Sequence, residues 1–398
     1  MAVFIVIVLL LLCSSATLTL AATSNLNSIS TSNDSICESM AISQGYVCHE
    51  FKVTTEDGYI LSLQRMPVGR TGKPADKGPV LLQHGLMSDG ATWLLNAPDE
   101  SLAFILADNG YDVWIANTRG TTYSRGHTSL SPTDSAFWEW SWDELAAYDL
   151  PAIFQYVHNQ TGHKLHYVAH SLGTLMALGA FSQHKLLNLL RSAALLSPIA
   201  HLNQIPSPLT KLAADLFLAE ELYWLGLREF IPGAQAASKL VENICDKPGL
   251  TCSNLIDAFT GPNCCVNSSK TNSFLDNQPQ STSTKNLIHL AQMIRTGKIA
   301  MFDYGNEDEN MDHYRQPTPP VYNITNIPND VPLFMGYGGQ DTLADVTDVN
   351  LLLDSLKHHH PDKLVLLFRQ DYAHADFVFG VNANQLVYHP LMAFFTLT

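Results

Sequence analysis

The spacing of apolar positions changes along this chain, and each change predicts a different element. From residue 50 to 66 apolar and polar positions alternate around Thr54-Thr55-Glu56-Asp57-Gly58. The Asp-Gly pair supplies the tight turn of a β-hairpin. Three short apolar runs follow, at 79–83, 111–117 and 165–169, each bounded by Gly, His or polar residues. Runs of that length without alternation suit strands buried on both faces. Each is followed by enough chain for a helix, so strand and helix alternate, which predicts a mostly parallel sheet with helices on both faces. One helix start is well marked. Ser141-Trp142-Asp143-Glu144 forms a capping box, and Leu145, Tyr148, Tyr156 and Val157 follow at near-helical spacing. Trp138, Trp140 and Trp142 crowd around it and are read as packing residues.

From 200 to 326 the strand-like runs stop. Between Pro208 and Phe230, Leu209, Leu212, Leu216, Ala219 and Tyr223 recur every three or four residues, with Lys211, Asp215, Glu220 and Glu221 between them. That spacing predicts one amphipathic helix. Apolar strand-type runs return at 331–338 and 363–368. The expected layout is a core in two parts, 50–199 and 327–398, interrupted by a helical cap or lid over 200–326. A segment 23–49 precedes the core.

Composition narrows the class. The chain has 398 residues, 46% hydrophobic and only 15% charged, enough to bury a large core. A net charge of −15 repels polyanions, so no nucleic-acid partner is expected. Residues Val3 to Leu12 are almost purely aliphatic, and Thr19-Leu20-Ala21 offers small residues at cleavage-site spacing. Residues 1–22 therefore read as a signal peptide, too short an apolar run for a bilayer span. No later run is long and apolar enough to cross a membrane. The expected destination is extracellular, or a vacuolar or lysosomal lumen. Asn33, Asn159, Asn267 and Asn323 begin N-x-[ST] sequons, which fit the secretory route as glycosylation sites. Of seven cysteines Cys13 lies in the leader, leaving an even number for an oxidising compartment. Cys37 and Cys48 stand alone in their region and are expected to pair. Cys245, Cys252, Cys264 and Cys265 crowd one segment whose pairing stays open. That segment has no His, so no metal is assigned there. His358-His359-His360 before Pro361 reads as a solvated loop rather than a metal site.

The sharpest chemical signal is Ala169-His170-Ser171-Leu172-Gly173, between a strand-like run and a helix-like one. A G-x-S-x-G elbow places serine on a tight strand-to-helix turn, its hydroxyl exposed at the sheet edge. Here Ala169 replaces the first glycine. A nucleophilic serine needs a base, and the base needs an orienting acid, in the chain order Ser, acid, His. Asp341 follows the run at 331–338 by a Gly-Gly-Gln turn, and His374 follows the run at 363–368 by a short loop. Asp345 and Asp348 lie further on and are weaker candidates for the acid. Gln83-His84-Gly85-Leu86 sits after the first apolar run. The backbone N–H groups of Leu86 and Leu172 are the expected oxyanion donors, with His84 holding the loop.

A series of motifs in order carries a family resemblance. They are Thr54-Thr55-Glu56-Asp57-Gly58-Tyr59, Gln83-His84-Gly85-Leu86, Asn117-Thr118-Arg119-Gly120, Phe137-Trp138-Glu139-Trp140-Ser141-Trp142-Asp143-Glu144, Gly261-Pro262-Asn263-Cys264-Cys265, Tyr337-Gly338-Gly339-Gln340-Asp341 and His374-Ala375-Asp376-Phe377. From about Cys37 to the C-terminus the chain resembles the acid lipases, a group that includes gastric, lysosomal and plant triacylglycerol lipases, the plant members most of all. The resemblance implies an α/β-hydrolase fold with a lidded cap. It puts the nucleophile on Ser171, the acid on Asp341, the base on His374 and the oxyanion donors on Leu86 and Leu172. The expected activity is hydrolysis of lipid esters at an oil–water interface, triacylglycerol first and sterol esters second, without cofactor or metal. The rivals are an esterase for soluble esters and a non-catalytic ligand-binding α/β-hydrolase. Oligomeric state stays open.

Overall fold

The computed structural model describes residues 35–231, 255–267 and 279–398. The expected leader, Asn33, Cys245 and Cys252 lie outside the described residues. Ile36–Thr398 form one unit around a nine-stranded sheet. Its strands are β1 (His49–Thr54), β2 (Tyr59–Met66), β3 (Pro79–Gln83), β4 (Asp112–Ala116), β5 (Gly126–His127), β6 (Leu165–His170), β7 (Leu190–Leu196), β10 (Leu333–Gly338) and β11 (Leu364–Arg369). Their order is β1-β2-β4-β3-β6-β7-β10-β11, with β5 beside β2. The β1–β2 hairpin is antiparallel, as its Asp-Gly turn requires, and β2 joins β4 antiparallel. From β4 to β11 every pairing is parallel.

The unbroken apolar runs have a structural cause. Successive strand side chains point to opposite faces, and both faces of the central strands are covered, whereas the edge strands β1 and β11 are partly exposed. Leu81, Trp114, Tyr167, Ala193 and Met335 pack on one side with the helices Leu150–Thr161 and Leu172–Ser182. Val80, Val113, Val168, Ala194 and Phe334 pack on the other with the helices Leu102–Asp108 and His389–Phe395. An alternating polar residue would be buried without a partner on one of these faces.

The capping box at Ser141 is formed, with both reciprocal bonds present. Trp138, Trp140 and Trp142 are all buried. Cys37 and Cys48 are joined by a disulfide, and Cys264 is bonded to its own neighbour Cys265. The turn at His358-His359-His360 is only partly solvated. His359 is buried, its ring Nε2 2.7 Å from the carbonyl of Val331.

Between β7 and β10 the regular elements of the described chain are helices joined by irregular loops, apart from the two-residue strands β8 (Glu229–Phe230) and β9 (Thr282–Ser283). The single amphipathic helix expected between Pro208 and Phe230 is instead two, Pro208–Asp215 and Leu218–Trp224. Phe217 breaks it with a φ of 53°. Arg295 occupies the break: it donates to the Ala214 carbonyl at 2.7 Å and to Glu220 at 2.6 Å, and lies 4.1 Å from the Phe217 ring centre. Apolar spacing continues through the break, which is why periodicity alone did not reveal it.

Candidate active site

In a parallel sheet all strands end at the same edge, and residues just past those ends gather there. Ser171 follows β6, Asp341 follows β10 and His374 follows β11. The three expected residues therefore share one rim, although about half the chain separates the first from the last. All three are buried.

Ser171 sits between the last residue of β6 and the first of the Leu172–Ser182 helix, with φ 55° and ψ −121°. A serine there carries backbone strain that the surrounding structure must hold. Its N–H donates to the Leu196 carbonyl at 3.1 Å. Its carbonyl accepts from Thr174 Oγ1 at 2.6 Å and from Thr174 N at 2.8 Å. The oxyanion-side loop runs against it so closely that a Cβ on Gly85 would lie 2.8 Å from the Ser171 Cβ. Only glycine fits there. Ala169 is a strand residue between Gln83 and Leu195, and its methyl is buried in the apolar layer. The alanine thus meets extended backbone and apolar neighbours rather than the tight turn itself.

His374 Nδ1 lies 3.0 and 2.9 Å from the two oxygens of Asp341. A carboxylate can only accept, so Nδ1 carries the proton, which leaves Nε2 as the basic nitrogen. That Nε2 is buried and has no hydrogen-bond partner among the described residues. Asp341 also accepts the N–H groups of Leu343 at 2.9 Å and Ala344 at 2.8 Å. Burial pushes its carboxyl up, but His374 and these two donors outweigh it and hold the carboxyl below its ordinary value. Asp345 and Asp348 stand apart from His374: Asp345 caps the Val346–Ser355 helix, and Asp348 accepts the Gln204 N–H at 3.1 Å.

Leu172 is the first residue of its helix, so its N–H has no acceptor within that helix. Leu86 and Leu172 line one small cavity with Gly85, Thr118 and Asn286. His84 holds the loop: its Nδ1 donates to the Gly85 carbonyl at 2.8 Å, and its Nε2 accepts the Thr118 N–H at 3.1 Å. Burial drops the His84 ring to about 4, so it is neutral and can accept that bond. Behind it Arg119 is buried between Asp57 and Asp149, with contacts of 2.6 Å to each.

One neighbour escaped the sequence reading. His170 lies 4.7 Å from His374 ring to ring, and its Nε2–H donates to the His374 carbonyl at 2.9 Å. Burial, then the adjacent His374 ring, lowers His170 to about 3, so it stays neutral. Its place inside the elbow motif was the only available signal. Of the sequons, Asn159 and Asn323 are exposed and Asn267 is half-buried.

Comparison with known proteins now bears on this geometry. The family described as "Partial alpha/beta-hydrolase lipase region" matches residues 37–97, and the α/β hydrolase fold matches 78–380. "Triacylglycerol lipase 2" of Arabidopsis thaliana is 50% identical over 364 residues, 90% of this chain and 87% of that protein. The chain belongs to the α/β-hydrolase lipases. Within that family, "Triacylglycerol lipase 1" of Arabidopsis thaliana is 43% identical over 363 residues, covering 91% of this chain and 90% of that one. A soluble variant of monoglyceride lipase from Saccharomyces cerevisiae, solved with a substrate analogue, shares the fold. Its TM-score is 0.54 at 17% identity, over 88% of this chain and 96% of that chain. As a member of this lipase family the chain is a carboxylic ester hydrolase. Among the described residues no helix is long and apolar enough to cross a membrane.

Proposed function

We propose that this chain hydrolyses triacylglycerol, and sterol esters secondarily, through an acyl-enzyme on Ser171. The observation that carries the reading is His374, with Nδ1 held by both oxygens of Asp341 and Nε2 left unpartnered at the sheet edge that bears Ser171. Ser171 Oγ attacks the acyl carbonyl carbon while His374 Nε2 takes its proton. The carbonyl oxygen, now an anion, accepts the N–H groups of Leu86 and Leu172. The tetrahedral species collapses as His374 gives its proton to the leaving alcohol oxygen. Water then attacks the acyl-enzyme, again through His374, and the fatty acid leaves. Asp341 keeps His374 in the correct tautomer and stabilises its charged form.

The names of the two plant relatives support triacylglycerol as the substrate. The exposed apolar side chains Leu216, Phe217, Trp224, Leu225, Leu227 and Ile231 support docking on an oil–water interface. The apolar leader 1–22 and the exposed sequons at Asn159 and Asn323 support passage through the secretory route. The decisive experiment is hydrolysis of long-chain triacylglycerol, cholesteryl ester and a short p-nitrophenyl ester by the parent and by Ser171→Ala. The parent should act on triacylglycerol, and Ser171→Ala should lose all three activities. A parent confined to the soluble ester, or an active variant, would refute the reading.

A further inference from the structure

The turns that carry His374 and Asp341 are both held by one short stretch, 257–265, within the segment between β7 and β10. The His374 N–H donates to the Thr260 carbonyl at 3.0 Å. The next N–H, from Ala375, donates to the side-chain Oδ1 of Asn263 at 3.1 Å. The Asp376 carboxylate then accepts the N–H groups of Cys264 at 3.1 Å and Cys265 at 2.9 Å. On the acid's side, Thr342 Oγ1 donates to the Phe259 carbonyl at 2.9 Å. Gly261, at φ +91°, passes so near that a Cβ would lie 2.1 Å from the Gln340 carbonyl oxygen. Three consecutive residues of the His374 turn, and one neighbour of Asp341, are thus bonded to the same strap, and the other neighbour, Gln340, lies against it.

Asn263 is the hub of the strap. A backbone N–H can only donate, so the atom facing Ala375 is the amide oxygen and the amide orientation follows. The two hydrogens of the amide nitrogen are shared among three acceptors, Asp257 Oδ1 at 2.7 Å, Thr260 Oγ1 at 2.7 Å and the Gly261 carbonyl at 3.0 Å. This one side chain ties the strap to itself and to the base's turn.

We propose that Asn263 is a positioning residue for the acid–base pair, setting where His374 stands relative to Asp341 and Ser171 without touching substrate. The proposal rests on the triad described above. Without the Asn263 oxygen the Ala375 N–H loses its acceptor and the His374 turn can relax toward solvent. His374 must reach Asp341 with one nitrogen and the serine with the other, so a displacement of about 1 Å is worth on the order of 100-fold in rate. The insertion then does more than cover substrate, because it also fixes the base.

The test is Asn263→Leu in the full chain, assayed on a soluble p-nitrophenyl ester and on emulsified triacylglycerol. Rates are counted per serine titrated to completion with a fluorophosphonate. The expected result is a fall in kcat of about 10- to 100-fold, equal on both substrates, with KM for the soluble ester unchanged. The exchange Asp257→Asn with Asn263→Asp keeps an acceptor for Ala375 and a donor–acceptor pair between 257 and 263. It should restore kcat to within about threefold of the parent, whereas Asn263→Asp alone, facing Asp257, should not. Unchanged kcat per titrated serine, a loss confined to emulsified lipid, or no recovery in the exchange would each overturn the proposal. If Asn263→Leu yields no titratable serine, the exchange decides. Ser171→Ala separates the two readings: activity retained there overturns the triad and this proposal with it, whereas an inactive Ser171→Ala beside an unimpaired Asn263→Leu overturns the positioning role alone.

Discussion

The Leu172–Ser182 helix and the Leu218–Trp224 helix are both rich in apolar side chains, and they use them in opposite ways. Every residue of the first is buried; no residue of the second is. The first begins at the residue after Ser171, so it is wedged in the core where the elbow and the Leu172 N–H must not move. The second ends in Trp224 and Leu225, which are 82% and 74% exposed. It packs on the Thr284–Thr296 helix and leaves its outer apolar side chains to solvent. Apolar content alone therefore does not say what a helix is for. The same kind of side chain packs one helix into the core and stands open to solvent on another.

The comparison can be pressed hardest at its rigid end. Ser171→Ala should leave a folded protein whose ester hydrolysis falls on the order of 10⁶-fold, measured against parent protein at matched circular dichroism. Within the same helix, Leu175→Ala opens a cavity under fully buried packing. It should cost about 2–5 kcal/mol in urea unfolding. The exposed end should respond in the other direction. Trp224→Ser with Leu225→Ser should change stability by no more than about 0.5 kcal/mol per residue. The pair should slow hydrolysis of emulsified triacylglycerol by about 10-fold, because the apolar area offered to the interface shrinks. Hydrolysis of a soluble ester should stay within about twofold. Equal losses on both substrates would erase the contrast between the helices.

A smaller effect tests the join between core and insertion. Asp348 is buried beside Asp345 and accepts the N–H of Gln204 at the start of the insertion. Burial, then the charge of Asp345 and the bond shared with it, raises its carboxyl well above the ordinary range, and the Gln204 N–H offsets this only in part. In the unfolded chain that carboxyl titrates near its usual value of about 3.9. As pH rises past that value the unfolded state gives up its proton first, so native stability declines until the native carboxyl has also ionised. Asp348→Asn removes this penalty while keeping an acceptor for Gln204. Its Tm should rise by a few degrees at pH 8 and by almost nothing near pH 4. A rise of equal size at both pH values would break the linkage.

Most of the sheet was legible because strands buried on both faces leave continuous apolar runs, as at 79–83 and 165–169. The rim residues were legible for a related reason. Ser171 follows such a run directly, Asp341 follows one by a short turn, and His374 follows the half-exposed edge strand β11 by a short loop, and parallel strands bring their ends together. What stayed hidden depends on contacts far apart in sequence. Phe217 breaks a helix whose apolar spacing does not falter, because Arg295 from another element fills the gap. Asn263 sits in a motif that carries the family resemblance, but nothing in the spacing shows that its oxygen meets Ala375. His170 was read only as part of the elbow, since its bond to the His374 carbonyl spans 204 residues.

The order of the rim residues along the chain has a consequence for synthesis. Ser171 leaves the ribosome with its strand and helix, whereas His374 follows roughly 200 residues later, about 10–40 s at ordinary elongation rates. β10 must then pair with β7, and β11 with β10, before Asp341 and His374 reach Ser171. On the proposed mechanism an unfinished chain thus carries Ser171 with no base beside it. The chain can then turn over an ester only once the last strand has docked.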